Sequence, residues 1–266
     1  MLCPAILKLA EGGAAMAAPK ASRARVTLER AGAGDAGTVR ANIDLKTKVQ
    51  AERGRWGGAR NRRDRVTVAL SLAQARNLAA AVVHAERADL PLNRLVTVHW
   101  GAMRQSDAEA LAALGRLLKL WRDALAARGL PFACVWIREN DDGDGSKGSH
   151  VHILAHVPAA ARRGFLRRLR AWARLAAGGR YNRRSGRVEG PAYAKGAVDT
   201  RRIGGRVAVP QDVHDANLAE VLGYVLKGAD KQTAEIMRLA RREPGGRVIG
   251  KRCGWSENIG AKARRA

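Results

Sequence analysis

The stretch GSHVHILAHVP, residues 148–158, decides the fold of this chain. It reads as a short buried strand in which His150 and His152 flank Val151, and alternation puts His150, His152, Leu154 and His156 on one face. Three of the six histidines fall here. The preceding FACVWIRE (132–139) reads as a second strand, and NDDGDGSKGS (140–149) between them as a Gly/Asp-rich turn. That loop sets Glu139 opposite His150, and directly opposed residues share a face. Glu139, His150 and His152 therefore converge. Two imidazoles and a carboxylate are a usual set for a divalent ion, and three protein ligands leave positions open for a substrate oxygen. The alternative is a set of buried histidines that are simply hydrogen-bonded. Asp141, Asp142 and Asp144 compete for the carboxylate role, although a flexible turn holds a ligand less firmly than a strand. His156 shares the face but lies about 13 Å from His152 at ~3.3 Å per residue, so a supporting or structural role is expected.

Outward from this pair, helices and strands interleave. Ser71 is a plausible N-cap for a helix within 66–87, and RLVTVHW (94–100) is an alternating, β-branched strand. SDAEALAALGRLLKLWRDALAARG (106–129) is an amphipathic helix with a capping box at Ser106 and Glu109 and a stop at Gly129. A helix over 159–177 carries an arginine face, and residues 178–213 are Gly/Arg-rich with strand candidates at GAVDTRRI and GRVAVP. DANLAEVLGYVLKG (215–228) reads as a helix capped by Asp215 or Asn217, and KQTAEIMRLARR continues helical. Two strands joined by a turn require an antiparallel pairing. The expected class is α+β, a central and largely antiparallel sheet carrying the histidine pair, flanked by helices including the one that bears Tyr224.

Composition bounds the partners. Forty-nine Lys and Arg against 24 Asp and Glu give a net charge of +25, which predicts a polyanion, nucleic acid first. No apolar run is long enough to span a bilayer, so no membrane partner is expected. Cys3, Cys134 and Cys253 are odd in number and form no CxxC pair, which argues for a reducing compartment such as the cytoplasm. MLCPAILKLA lacks a basic segment before it, so no signal peptide is expected, and Met16 is an alternative start. Residues 1–65 read as a basic, disordered arm, 66–245 as the folded domain, and 246–266 as a basic, irregular tail.

Tyr224 and Lys227 sit three apart and so on one helical face. A tyrosine can act as a covalent nucleophile, and a neighbouring cation favours a bound phosphate. The plain alternative is a core tyrosine with a snorkelling lysine.

Taken together, His150-Val151-His152, a carboxylate on the adjoining strand and a downstream helical YVLKG resemble the HUH endonuclease superfamily. LVTVHWG resembles its first motif, WIRENDDGDGSKGSHVHILAHVP its second, and YVLKG its third. Gly228 stands four past Tyr224 where a second tyrosine would fall, so the chain resembles the single-tyrosine class, and the order of histidines then tyrosine resembles rolling-circle replication initiators. The resemblance covers about residues 94–230, and no Walker A motif accompanies it. It implies an enzyme in the bacterial cytoplasm that nicks the origin of a plasmid or phage, with Mg2+ or Mn2+ held by Glu139, His150 and His152. Tyr224 is then the nucleophile and Lys227 neutralises charge beside the phosphate. The implied partners are single-stranded origin DNA and a host helicase and polymerase. Single-stranded DNA needs a basic groove and stacking surfaces. Arg162, Arg163, Arg167, Arg168, Arg170 and Arg174 are expected to supply the groove, and Trp100 a stacking surface, with Trp136 and Trp172 as further candidates. Related transposases or mobilisation relaxases, and a noncatalytic DNA-binding protein, are the neighbouring alternatives. A non-haem iron oxygenase shares the ligand types but not their order, and gives the charge no role.

Overall fold

In the computed structural model the described residues are 64–141, 148–190, 196–203 and 211–265. The basic arm through residue 63, Asp142, Asp144, Tyr193 and the strand expected at GRVAVP lie outside them.

Among the described residues nine strands and five α-helices follow in chain order: β1 (Val66–Thr67), α1 (Leu72–Arg87), β2 (Arg94–His99), α2 (Asp107–Ala126), β3 (Cys134–Asp141), β4 (Gly148–Ala155), α3 (Phe165–Ala176), β5 (Arg180–Asn182), β6 (Arg187–Glu189), β7 (Val198–Arg202), α4 (Gln211–Val225), α5 (Lys231–Ile236), β8 (Val248–Ile249) and β9 (Cys253–Trp255). Local chemistry sets several boundaries. Ser71 accepts the Gln74 N–H while the Gln74 side chain accepts the Ser71 N–H, closing a capping box on α1. Ser106 and Glu109 do the same for α2. Gly129 takes φ +63° in the turn that leaves α2, a conformation that glycine adopts without a Cβ penalty.

The main sheet has the order β7-β2-β4-β3-β9, and every pairing is antiparallel. Strand β4 is therefore central. Its even and odd residues face two separate cores. On one face Val96, Val98, Val151 and Ile153 pack against Leu114, Leu117 and Trp121 of α2 and Phe165, Leu169 and Ala173 of α3. On the other, Val135, Ile137 and Leu154 pack against Leu78 and Val82 of α1 and Leu218, Leu222 and Val225 of α4. The chain is thus α+β with helices on both faces. Among the described residues no helix is long and apolar enough to cross a membrane.

Four expectations are corrected here. The strands β3 and β4 run two residues further into the turn segment than the sequence pattern indicates, to Asp141 and from Gly148. Helix α4 starts at Gln211, so Asp215 and Asn217 are interior, and Asn217 donates back to the Val213 carbonyl instead of capping. The 246–266 tail is not irregular: β9 pairs with β3 at the edge of the main sheet, and β8 pairs with β1. These strands are two and three residues long, too short to show a period of two. Trp100 is fully buried among Val98, Met103 and the α2 side chains, so its indole is a core group and cannot stack on a base.

Candidate active site

The site is built on the faces of β2, β3 and β4 that look toward α4. Glu139 pairs with His150 and Ile137 with His152 across β3 and β4, the register expected from the sequence. On the other side of β4, His99 pairs with His150 and Thr97 with His152. Glu139, His150 and His152 are all buried. His150 Nε2 lies 3.2 Å and His152 Nε2 3.6 Å from Glu139 Oε2, and a ligand atom from each of the three falls within 4.8 Å of the others.

Proton positions follow from the partners. A backbone carbonyl only accepts, so His150 Nδ1, 2.9 Å from the Gly148 carbonyl, carries a proton and donates it. A neutral His150 therefore turns the lone pair of Nε2 toward the Glu139 carboxylate. His152 Nδ1 lies 3.0 Å from the Thr97 hydroxyl, which can accept its proton and leave Nε2 as a second lone pair on the same carboxylate. Burial lowers the His152 pKa, helped by the charges of His150 and Lys227 and opposed by Glu139, so the neutral ring is favoured. Burial would raise the Glu139 carboxyl, but the nearby His150 and His152 imidazoles and the charge of Lys227 outweigh it and hold it well below the usual carboxylate range. Among the described residues Glu139 Oε1 and His152 Nε2 are buried with no hydrogen-bond partner. Two lone pairs aimed at an anion repel, and a cation between them removes the conflict. The residues present fit a divalent ion, with the Gly148 carbonyl and Thr97 orienting the imidazoles from behind.

Tyr224 lies on α4, and its ring stands edge-on to His152 with centroids 5.3 Å apart. It is 37% exposed, whereas its neighbours Leu222 and Val225 are fully buried; the phenol thus reaches an open cleft of about 640 Å³ above the trio. Lys227 is placed differently from its expected role. Its ammonium is buried, 3.0 Å from Glu139 Oε2 and 2.8 Å from Glu243 Oε2. Burial would lower its pKa, but the bond to Glu243 and the charge of Glu139 raise it. Lys227 is thus committed to two carboxylates beneath the cleft rather than presented to a phosphate. Gly228 leaves little room for a side chain: a Cβ there would come 3.3 Å from the Gly245 Cα and 3.4 Å from Glu139 Oε1.

Several cleft residues were not singled out as site residues from the sequence. His99, with its ring 5.3 Å from that of His150, and Thr97 come from β2. Glu243 comes from the segment after α5. Arg201 and Arg202 of β7 and Arg241 line the cleft and are its cations apart from Lys227. Only the pairing of β2 with β4 and β7 could have placed the first two and the β7 arginines, since alternation alone does not say which strands are neighbours. Asp141 lines the cleft mouth, while His156 is held away by the Pro91 carbonyl.

The arginine helix is not part of this site. Arg162, Arg163, Arg167, Arg168, Arg170 and Arg174 lie on or just before α3, which packs on the opposite face of the sheet. Hydrophobic periodicity marks an amphipathic helix but not the face of the sheet it covers. A second cluster, Glu86, His214 and Asp215, joins α1 to α4, where Glu86 also accepts the Leu92 N–H.

No protein-family model matches the chain, and neither does a curated protein or a solved structure.

Proposed function

We propose that the chain is a metal-dependent single-strand DNA endonuclease and strand transferase, which nicks an origin through Tyr224 to start rolling-circle replication. The observation that carries this reading is the buried Glu139, His150 and His152 trio with the Tyr224 ring 5.3 Å from His152 in an open cleft. Glu139, His150 and His152 would hold a divalent ion, Mg2+ or Mn2+, which would supply Lewis-acid polarisation of the scissile phosphate. The Tyr224 oxygen forms a bond to phosphorus and gives up its proton to solvent. The P–O3′ bond breaks, and the departing oxygen takes a proton to become a free 3′-OH. The product is a 5′-phosphotyrosyl ester, which the same hydroxyl can later reverse. Lys227 fixes the Glu139 carboxylate, Thr97 and the Gly148 carbonyl fix the rings, and packing of α4 through Leu218 and Leu222 holds Tyr224 over the cleft.

The test uses a single-stranded origin oligonucleotide labelled 3′ of the nick, with Mn2+. An adduct that survives denaturation, disappears on protease digestion and maps to the peptide containing VLGYVLK is expected. Tyr224→Phe removes only the nucleophilic oxygen and eliminates the adduct while keeping fold and affinity. His152→Ala breaks the ligand set and abolishes nicking while leaving most DNA affinity. An adduct on Tyr181 or Tyr193, or one that persists in Tyr224→Phe, overturns the assignment.

A further inference from the structure

The segment between α3 and β7 contributes the arginine-rich RYNRRSGRVE (180–189) to a two-stranded ribbon separate from the main sheet. β5 and β6 pair antiparallel, with Tyr181 opposite Val188 and Asn182 opposite Arg187. The tip is ordered by one side chain: Asn182 Oδ1 accepts the N–H groups of Arg184 and Ser185, and its carbonyl accepts the Gly186 N–H. Gly186 supplies the positive φ that closes the turn. Asn182 also donates to Glu189 Oε1 at 2.6 Å, which engages the ribbon's one carboxylate away from its arginines. Arg183, Arg184 and Arg187 are exposed, and Tyr181 is 58% exposed. Among the described residues none of these three arginines is ion-paired, nor are Arg167 and Arg170 on the outer side of α3. The ribbon is anchored to the end of that helix. A Cβ on Gly190 would come 2.4 Å from the Gly179 Cα, and one on Gly179 would come 2.7 Å from the Arg174 carbonyl, so the crossing of the two chains at the base of the ribbon depends on glycine.

We propose that the β5–β6 ribbon and the outer side of α3 form a docking surface for double-stranded DNA, on the face of the sheet opposite the cleft. A two-stranded ribbon spaced about 4.8 Å between strands enters a B-DNA major groove about 12 Å wide. The deep, narrow major groove of A-form RNA excludes it. Arginines preset at the tip meet phosphates and base edges, and the mutually repelling cations on α3 gain counter-charge from the adjoining backbone. Burial lowers the Arg168 pKa, and the charges of Arg128 and Arg167 act the same way. The surface rests on the proposed function only in taking DNA as the polymer. A nuclease reading that fails leaves it standing, because the measurement needs neither metal nor cleavage.

The full-length protein is titrated in EDTA with a fluorescent random-sequence DNA duplex over a salt series. In Arg183→Gln/Arg184→Gln/Arg187→Gln the slope of log K against log salt falls by about 2–3 units, and affinity at moderate salt falls about tenfold or more. Tyr224→Phe binds the duplex as the wild type does. Equal duplex affinity and slope in the triple variant overturn the proposal. So does an A-form RNA duplex that binds as tightly as DNA and is weakened equally by the triple variant.

Discussion

At the scale of single residues, the site works through hydrogen bonds that leave the right atoms empty. Thr97 is the clearest case, since its hydroxyl meets His152 Nδ1 at 3.0 Å and leaves Nε2 to the carboxylate. Thr97→Val keeps the shape and removes the partner, and Mn2+ affinity measured by calorimetry is expected to fall about 10–100-fold; an unchanged affinity means that the ring is oriented by packing alone. His156 makes a different prediction. Burial depresses its pKa below 6.5, with the Arg162 charge acting the same way and the Pro91 carbonyl opposing. The unfolded chain therefore takes up the proton first on acidification. The stability His156 contributes is present above 6.5 and is lost as the pH falls toward its folded value. His156→Gln can still donate to Pro91 without titrating. Denaturant unfolding across this range should show a shallower loss in the variant, and parallel curves would sink the idea. The pairing of Glu139 with His150 was legible because both ends of the turn segment were marked by strong alternation. His99, Thr97 and Glu243 were not, because their approach to the site depends on which distant segments become neighbours.

Elements show the same division. The capping boxes at Ser71 and Ser106 declare α1 and α2 from three-residue spacing alone, since the chemistry is local. The start of α4 did not declare itself, because Asp215 and Asn217 have the side chains of caps but sit within the helix. The junction of α2 with β3 holds a buried polar assembly invisible to periodicity. Arg138 is fully buried on the face of β3 turned toward α2 and pairs with Asp107 at 2.6 Å, while Asp107 also accepts from Ser149 and from the Ile249 N–H. One carboxylate thereby ties β3, β4, α2 and β8 together. Arg138→Met leaves that carboxylate without its cation, and a loss of about 3–5 kcal/mol is expected from urea denaturation. Removing both charges in Arg138→Met/Asp107→Leu should recover part of it. A single variant costing less than about 1 kcal/mol means that the remaining donors satisfy Asp107.

Across the whole molecule, charge and chemistry are separated. The cleft mixes Arg201, Arg202, Arg241 and Lys227 with Glu139, Asp141, Asp199, Glu220 and Glu243, so the +25 excess is carried elsewhere: on α3, on the β5–β6 ribbon and in the arm outside the described residues. Deleting residues 1–60 should flatten the salt dependence of DNA binding by about 0.7–0.9 per lost contact while nicking at saturating protein survives; an unchanged slope means that the arm does not touch DNA. Composition states the net charge but not where on the fold it sits, because net charge carries no geometry. The sheet order carries one more consequence. His150 and His152 sit on β4, with a strand paired on each side and a core on each face. Their amides can meet solvent deuterium only when the domain opens as a unit, so they should be among the slowest to exchange. The backbone that carries the imidazoles then undergoes no local melting, and in the proposed nicking reaction any rearrangement falls to the bound DNA strand and to the exposed phenol on α4.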